Sequence, residues 1–257
     1  MLGKLLGFTK IDSDKKHTEH HSVKDWSFVG VDMHSHIIPG IDDGPKTIEE
    51  SIVLVEAMKA MGFKSLITTP HIRSDHYPNT TETINKGLNE LQAALKEKNI
   101  HFPIKAAAEY FVDSSFVELL GKEPLLTVFD KHILIEFSFV FEPTKLFEII
   151  FKIQTAGYVP IIAHAERYTY YHASIETLKQ LRERGCLLQL NLISLSGYYS
   201  RKVKYAAEVL LKNKLYDFCG SDIHHIKHVE TMQKLLRSSE SIQILHKYPF
   251  LNSRIPV

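Results

Sequence analysis

From residue 28 onward the chain alternates short apolar runs with amphipathic segments, and six of the seven apolar runs carry a histidine or a carboxylate at or within two residues of their end. The runs cover 28–36, 64–71, 104–111, 132–138, 159–164, 186–193 and 217–222, lengths that suit buried strands. Helical patterns fill the gaps. Thr47 and Glu50 have the spacing of a capping box ahead of an apolar face of Ile48, Ile52, Val55 and Met58. Ile84, Leu88, Leu91 and Leu95 mark a second helix, and further starts fall near Pro143, Ser174 and Ser200. The stretch 112–128 is the least regular and has room only for a short helix. Seven β units separated by helices predict a parallel sheet, because parallel neighbours need crossover connections.

The polar residues at the run ends decide what kind of sheet. The first run ends His34-Ser35-His36 and is followed by Asp42-Asp43-Gly44. Later runs carry Thr69-Pro70-His71, Glu109, Glu136, His164 and Asp222-Ile223-His224. An open sheet would scatter these ends along a line, whereas a barrel gathers all strand C-termini at one mouth. The expected fold is therefore α/β, a closed or nearly closed seven-stranded barrel with its site at that mouth. Side chains alternate along a strand, so His34 pairs with His36 on one face, and Asp222 with His224. Several unpaired carboxylates in one mouth would be costly, which predicts a metal site. Nitrogen and oxygen donors without thiolate suit zinc, manganese or iron. There are too many for one tetrahedral ion, so two or three are implied. Three divalent ions bring about +6, of which Asp43, Glu109, Glu136 and Asp222 cancel about four, leaving a pocket that attracts a phosphate dianion. Multimetal sites of this kind ionise water and stabilise displacement at phosphorus.

Other chemistries are excluded by residue identity. A cysteine phosphatase needs an arginine six positions after its thiolate; Cys186 is followed there by Leu192 and Cys219 by His225. Both cysteines read as inert core residues. No Gly-x-Ser-x-Gly elbow, Walker loop, dinucleotide motif or His-Glu-x-x-His occurs. With 31 basic and 30 acidic residues in 257, the charge balance offers no footprint for nucleic acid or an anionic membrane. No apolar stretch approaches the roughly 18 residues of a membrane helix, and residues 1–8 are too short for a secretory core, so the cytoplasm is expected. Residues 1–27 form a polar N-terminal arm in which His17, His20 and His21 would bind metal only loosely. Asp12 and Asp14 open a calcium-loop spacing that Lys16, His17 and Val23 then break. Tyr168, Tyr170, Tyr171, Tyr198 and Tyr199 follow strand ends, as ring-stacking partners at the mouth or as loop residues.

The motifs Val-Asp-Met-His34-Ser-His36, Asp42-Asp43-Gly44-Pro45, Thr69-Pro70-His71, Ala108-Glu109, Leu-Ile-Glu136-Phe, Ile-Ala-His164-Ala-Glu-Arg167-Tyr and Ser-Asp222-Ile-His224 together resemble the PHP-domain phosphoesterases. More narrowly, they resemble the manganese-dependent bacterial protein-tyrosine phosphatases of capsule and exopolysaccharide loci, the CpsB/YwqE type. The resemblance implies one catalytic domain over residues 28–257 with the PHP fold, a distorted, TIM-barrel-like (β/α)7 barrel. It implies that His34, His36, Glu109 and Asp222 hold a first metal and that Glu109 bridges to a second completed by Glu136 and His164. Asp43, His71 and His224 would hold a third. Manganese is the implied ion, with iron, zinc and magnesium as alternatives, and a hydroxide between metals would attack phosphorus. Arg167 matches a phosphate-binding and catalytic arginine, whose structural alternative is a salt bridge to Glu166; Asp222 and His224 share catalytic duty. The implied partner is a phosphotyrosyl protein, such as a bacterial tyrosine kinase of polysaccharide export. The alternative is a small phosphomonoester such as histidinol phosphate, and a non-enzymatic metal-binding regulator is a third reading. One departure is visible. The family's second arginine, past the last Asp-x-His, is missing from His225-Ile226-Lys227-His228-Val229-Glu230, which leaves Lys227, His225, His228 or Arg73 as stand-ins.

Overall fold

The computed structural model describes residues 23–256; the His17, His20 and His21 group lies outside them. The strands are β1 (Val31–Asp32), β2 (Ser65–Thr68), β3 (His71–Ile72), β4 (Ile104–Ala106), β5 (Glu109–Phe111), β6 (His132–Glu136), β7 (Val159–Ile162), β8 (Leu187–Asn191) and β9 (Phe218–Gly220). All their mutual pairings are parallel, in two sheets ordered β1-β2-β4 and β3-β5-β6-β7-β8-β9. The fold is thus α/β with parallel sheets, as the alternation of runs requires.

Seven expected strands become nine because the second and third are each interrupted. Pro70, which has no N–H to give to a ladder, separates β2 from β3. Ala107 and Ala108 separate β4 from β5 at the same level, and the bonds Ala107 N–H to Thr68 O (2.8 Å) and Glu109 N–H to Pro70 O (3.0 Å) carry the pairing across both breaks. On the other side, Ser35 and Ile223 form an isolated parallel bridge. It is flanked by His36 N–H to Ile223 O and Asp222 N–H to His34 O, both 2.8 Å.

The helices are α1 (Ile48–Ala60), α2 (Thr81–Glu97), α3 (Ser114–Leu119), α4 (Leu146–Thr155), α5 (Glu176–Glu183), α6 (Arg201–Lys212), α7 (Ile226–Leu236) and α8 (Ser239–Lys247). Thr47 caps α1 by accepting from Glu50 N–H, but the box is half formed: the Glu50 carboxylate accepts from Lys46 N–H at 2.6 Å instead. Thr80 and Thr83 make the reciprocal pair at α2. α3 is the short helix in the irregular stretch, whereas α7 and α8 were not foreseen.

Period-two alternation divides the core. Ile133 and Ile135 pack outward into a large cluster with the helices. Leu134 joins Val31, Met33, Ile67, Ala107, Ile161, Ala163 and Phe218 in a second, smaller cluster drawn from both sheets.

Candidate metal centre

Beyond β1 the chain stays extended through His36, and His34 and His36 project to one side with both rings fully buried. Their Nε2 atoms lie 3.3 Å apart. His34 Nε2 is 3.4 Å from Glu109 Oε2 and 3.2 Å from Asp222 Oδ1. His36 Nε2 is 3.3 Å and 3.5 Å from the same two oxygens. Four donors about 2.0–2.1 Å from a common centre stand roughly 3.3–3.4 Å apart in a tetrahedron, which is the spacing found here. Glu109 Oε2 is buried and makes no well-formed hydrogen bond, an arrangement that a cation among these donors would satisfy. The donor set therefore fits a divalent ion.

The remaining donors surround this set. His164 Nε2 lies 2.9 Å from Glu109 Oε1 and 3.6 Å from Glu136 Oε1. Asp43 Oδ1 lies 3.5 Å from His71 Nε2 and 3.3 Å from His224 Nε2. His71 Nδ1 reaches back to Glu109 Oε2 at 3.1 Å. All nine residues expected as metal ligands lie in this one cluster, in overlapping groups of close donors: His36, Asp43, His71 and His224; His34, His36 and Asp222; His34, Glu109 and His164; and His71, Glu109 and Glu136. Two donors sit on strained backbone: His164 (φ 32°) and Asp222 (φ 52°) are left-handed, a conformation costing a side chain of order 1 kcal/mol that concentrates at functional sites. It turns the chain sharply at the ends of β7 and β9. Gly220 lets β9 come close enough, since a Cβ there would lie 2.7 Å from the Cβ of His34.

A second layer aims the rings. Gln189 Oε1 lies 3.1 Å from His34 Nδ1 and accepts from His164 N–H at 2.9 Å. His36 Nδ1 faces Asp42 Oδ2 at 2.8 Å, and His224 Nδ1 faces Asp222 O at 2.9 Å. Each acceptor calls for a proton on Nδ1, so each Nε2 offers its lone pair inward. Asn191 Nδ2 donates to Asp222 Oδ2 at 2.8 Å. Sequence reasoning missed Gln189 and Asn191. Their signal was two amides at period two among the leucines of β8.

Burial and charge act against each other across the cluster. Burial would raise the Glu109 carboxyl, but the His34 and His71 charges outweigh it and hold it well below the usual range. Glu136, buried and facing Glu109, is pushed well above. Burial lowers His34, yet Glu109 and Asp222 hold it up at about 10. Burial takes His71 and His164 down to about 4, Arg167 adding to the effect on His164. Two rings are thus neutral donors at pH 7, and a cation would replace the proton on His34.

The cluster floors a cavity of about 440 Å³ whose wall includes Arg73, Phe139, Arg167, Tyr199, His225 and His228. Arg167 does not pair with Glu166. Its Nη1 donates to Asp222 Oδ2 at 3.1 Å, and its guanidinium lies between the rings of Phe139 (4.4 Å) and Tyr199 (4.2 Å). Of the four stand-ins for a second arginine, Arg73, His225 and His228 line this cavity. Arg73 is tied to Asp75 by Nε at 2.7 Å. His228 Nδ1 accepts from His224 N–H at 3.2 Å, which leaves its proton on Nε2. Lys227 is not among the lining residues. The tyrosines divide: Tyr199 faces the cavity, whereas Tyr168 is fully buried with its hydroxyl accepting from Phe137 N–H at 3.0 Å. Both cysteines are free and buried, and burial pushes the Cys186 thiol up to about 12.

Parallel α/β sheets whose strand ends gather nine histidine and carboxylate donors around one open cavity define a PHP-type, metal-dependent hydrolase. Within that class the comparisons are specific. Residues 30–245 match the family described as capsular polysaccharide synthesis, CpsB/CapC, and the chain belongs to it. It is 29% identical over 218 residues to the tyrosine-protein phosphatase YwqE of Bacillus subtilis, covering 84% of each chain. It is 29% identical over 202 residues to the tyrosine-protein phosphatase CpsB of Streptococcus pneumoniae, covering 76% of this chain and 83% of that one. A crystal structure from work on YwqE and CpsB, described as unique metal-dependent tyrosine phosphatases, superimposes with a TM-score of 0.76 at 26% identity. That match covers 88% of this chain and 93% of the other.

Proposed function

We propose that this protein hydrolyses phosphotyrosine on proteins, in the control of capsule or exopolysaccharide synthesis or export, and that its substrate is a phosphorylated bacterial tyrosine kinase of that system. Residues 28–257 then form one catalytic unit in the cytoplasm. Among the described residues no helix is long and apolar enough to cross a membrane. The fold we infer is a distorted, closed (β/α)7 barrel. Supporting closure are the Ser35–Ile223 bridge and an inner core drawn from both sheets.

His34, His36, Glu109 and Asp222 would hold one ion, Glu109, Glu136 and His164 a second, and Asp43, His71 and His224 a third, manganese being the ion proposed. When bound, such ions polarise the phosphoryl oxygens and ionise the attacking water. The chain's own residues bind and orient. Among the described residues Asp222 alone accepts an Arg167 N–H, so the remaining fork is free for a phosphoryl oxygen. The Phe139 and Tyr199 rings fix its plane and leave space beside them for an aromatic ester. Asp222 ties the two functions together, one oxygen in the metal set and the other on Arg167. His228 lines the same cavity with its proton on Nε2.

The observation that carries this reading is the placement of Arg167 and the donor cluster around one shared carboxylate in one open cavity. Accessibility favours a protein substrate, since the donors grade from fully buried His34 to Asp43, whose side chain is 50% exposed. The test is phosphate release from a phosphotyrosyl peptide and from histidinol phosphate, with manganese-loaded and chelator-stripped protein side by side. Manganese-dependent turnover of the peptide is expected. Turnover of histidinol phosphate alone would overturn the substrate while keeping the chemistry.

A further inference from the structure

Half of the strongly exposed large apolar side chains in the described chain lie between residues 139 and 151. They are Phe139 (38% exposed), Val140 (83%), Phe141 (65%), Phe147 (37%) and Phe151 (69%). Phe139, Val140 and Phe141 lie on the loop before α4, and the other two on α4 itself, which is apolar on two faces. Leu146, Ile150 and Ile153 pack inward, while Phe147 and Phe151, four residues apart, share the outer face. There the Arg184 guanidinium lies over the Phe147 ring at 4.4 Å and Phe151 stays 69% exposed. A helix needs one apolar stripe to dock on its own sheet, and a second stripe in water marks a surface with another partner.

Phe139 says which partner. Its ring is part of the cavity wall and stacks on Arg167, so the apolar surface begins inside the candidate active site and continues outward through Val140 and Phe141. A second copy of this chain seated on it would wall off the cavity. An occupant compatible with turnover must instead enter the cavity with one residue and lie on this surface with its neighbours. We propose that the 139–141 loop and the outer face of α4 form the docking surface for the substrate polypeptide, and that they select phosphotyrosines flanked by bulky apolar side chains. The inference rests on the phosphatase reading above and specifies its substrate.

The test pairs the wild-type protein with the double variant Phe141→Ser, Phe151→Ser. Both residues are well exposed, and neither is among the donors or the cavity wall. Two phosphotyrosyl peptides, with leucine and phenylalanine or with glycine and serine around the phosphotyrosine, are compared with p-nitrophenyl phosphate, all on manganese-loaded protein. Wild type should prefer the apolar peptide by about tenfold or more in kcat/KM, carried by KM, as expected for loss of aromatic anchors. The variant should lose that preference and keep its rate on p-nitrophenyl phosphate. Equal wild-type rates on the two peptides, or a variant that loses all three substrates in proportion, would overturn the docking surface. So would sedimentation showing a wild-type dimer that the double variant breaks, because the patch would then be a contact between copies. If wild type turns over none of the three, the phosphatase reading itself falls and this surface with it.

Discussion

Two buried glutamates, Glu109 at the start of β5 and Glu166 just past β7, are in opposite states of satisfaction. Glu166 is completely buried, and its carboxylate accepts from Asn191 N–H (3.0 Å), Ser194 Oγ (2.6 Å) and Tyr216 OH (2.9 Å). Glu109 is equally buried, yet its Oε2 makes no well-formed hydrogen bond and faces the Nε2 atoms of His34 and His36 at 3.4 and 3.3 Å. A folded chain tolerates a buried carboxylate when donors surround it, as at Glu166. It retains an unsatisfied one, at a cost in stability, where a ligand completes the site. The contrast separates a carboxylate that builds the fold from one placed to bind: Glu109 lines the donor cavity and Glu166 does not.

The sharpest way to break the comparison is to remove Glu109. Glu109→Ala should lower metal-dependent turnover by about 10³ or more and reduce the metal retained after gel filtration, measured by mass spectrometry. Its chelator-stripped form should melt no lower than stripped wild type. Full activity in this variant would remove Glu109 from the centre altogether.

Glu166→Ala should do the reverse. Three donors lose their acceptor in the interior, at about 1–3 kcal/mol for each left unpaired, so urea unfolding should show a loss of several kcal/mol. Bound metal per folded molecule should stay unchanged. Glu166→Gln should recover most of the stability, because an amide oxygen can still accept from Asn191 N–H and the two hydroxyls can rotate. A drop in metal content that the glutamine does not repair would show that Glu166 belongs to the centre after all.

Gln189 sits on the border between the two kinds of site. It contacts no predicted ion, yet it orients His34 and the backbone of His164 through one oxygen. Gln189→Leu should weaken metal affinity about 10–100-fold, the range for lost outer partners of ligating histidines. Gln189→Glu should restore part of it by keeping an acceptor at Nδ1. Titration with manganese against a competing chelator reads both.

These contrasts also show what was legible beforehand. The clustered donors were readable because strand periodicity and burial force a polar residue at or near an apolar run's end to be paired or functional. His34, His36, Glu109 and Asp222 all announced themselves in that way. The breaks at Pro70 and Ala107 were not readable, because whether a strand continues depends on its neighbours' bonds. Glu166 and Arg167, adjacent in sequence, suggested a salt bridge. The turn after left-handed His164 sends them apart instead, Glu166 into the Tyr216 cage and Arg167 to Asp222. Backbone direction at a strained residue leaves little trace in composition or spacing.

The pH dependence of stability is the most direct measure of the Glu166 environment. Burial raises its carboxyl to about 7, with the Ser194, Tyr216 and Asn191 donors pulling the other way. The folded pKa then lies above the unfolded value of 4.5, so the folded state holds the proton more tightly. That contribution is fully present below about pH 4.5 and is lost as pH rises through about 7, with a slope of at most about 1.4 kcal/mol per pH unit. Glu166→Gln stays neutral and has no such window. Asp32, raised to about 6 by burial, slopes in the same direction but is common to both proteins. The difference in unfolding free energy between metal-free wild type and Glu166→Gln therefore isolates Glu166. It should tilt toward the variant between about pH 4.5 and 7 and level off above. A flat difference across that range would mean that the three donors keep Glu166 ionised throughout, making its cage a built anion hole.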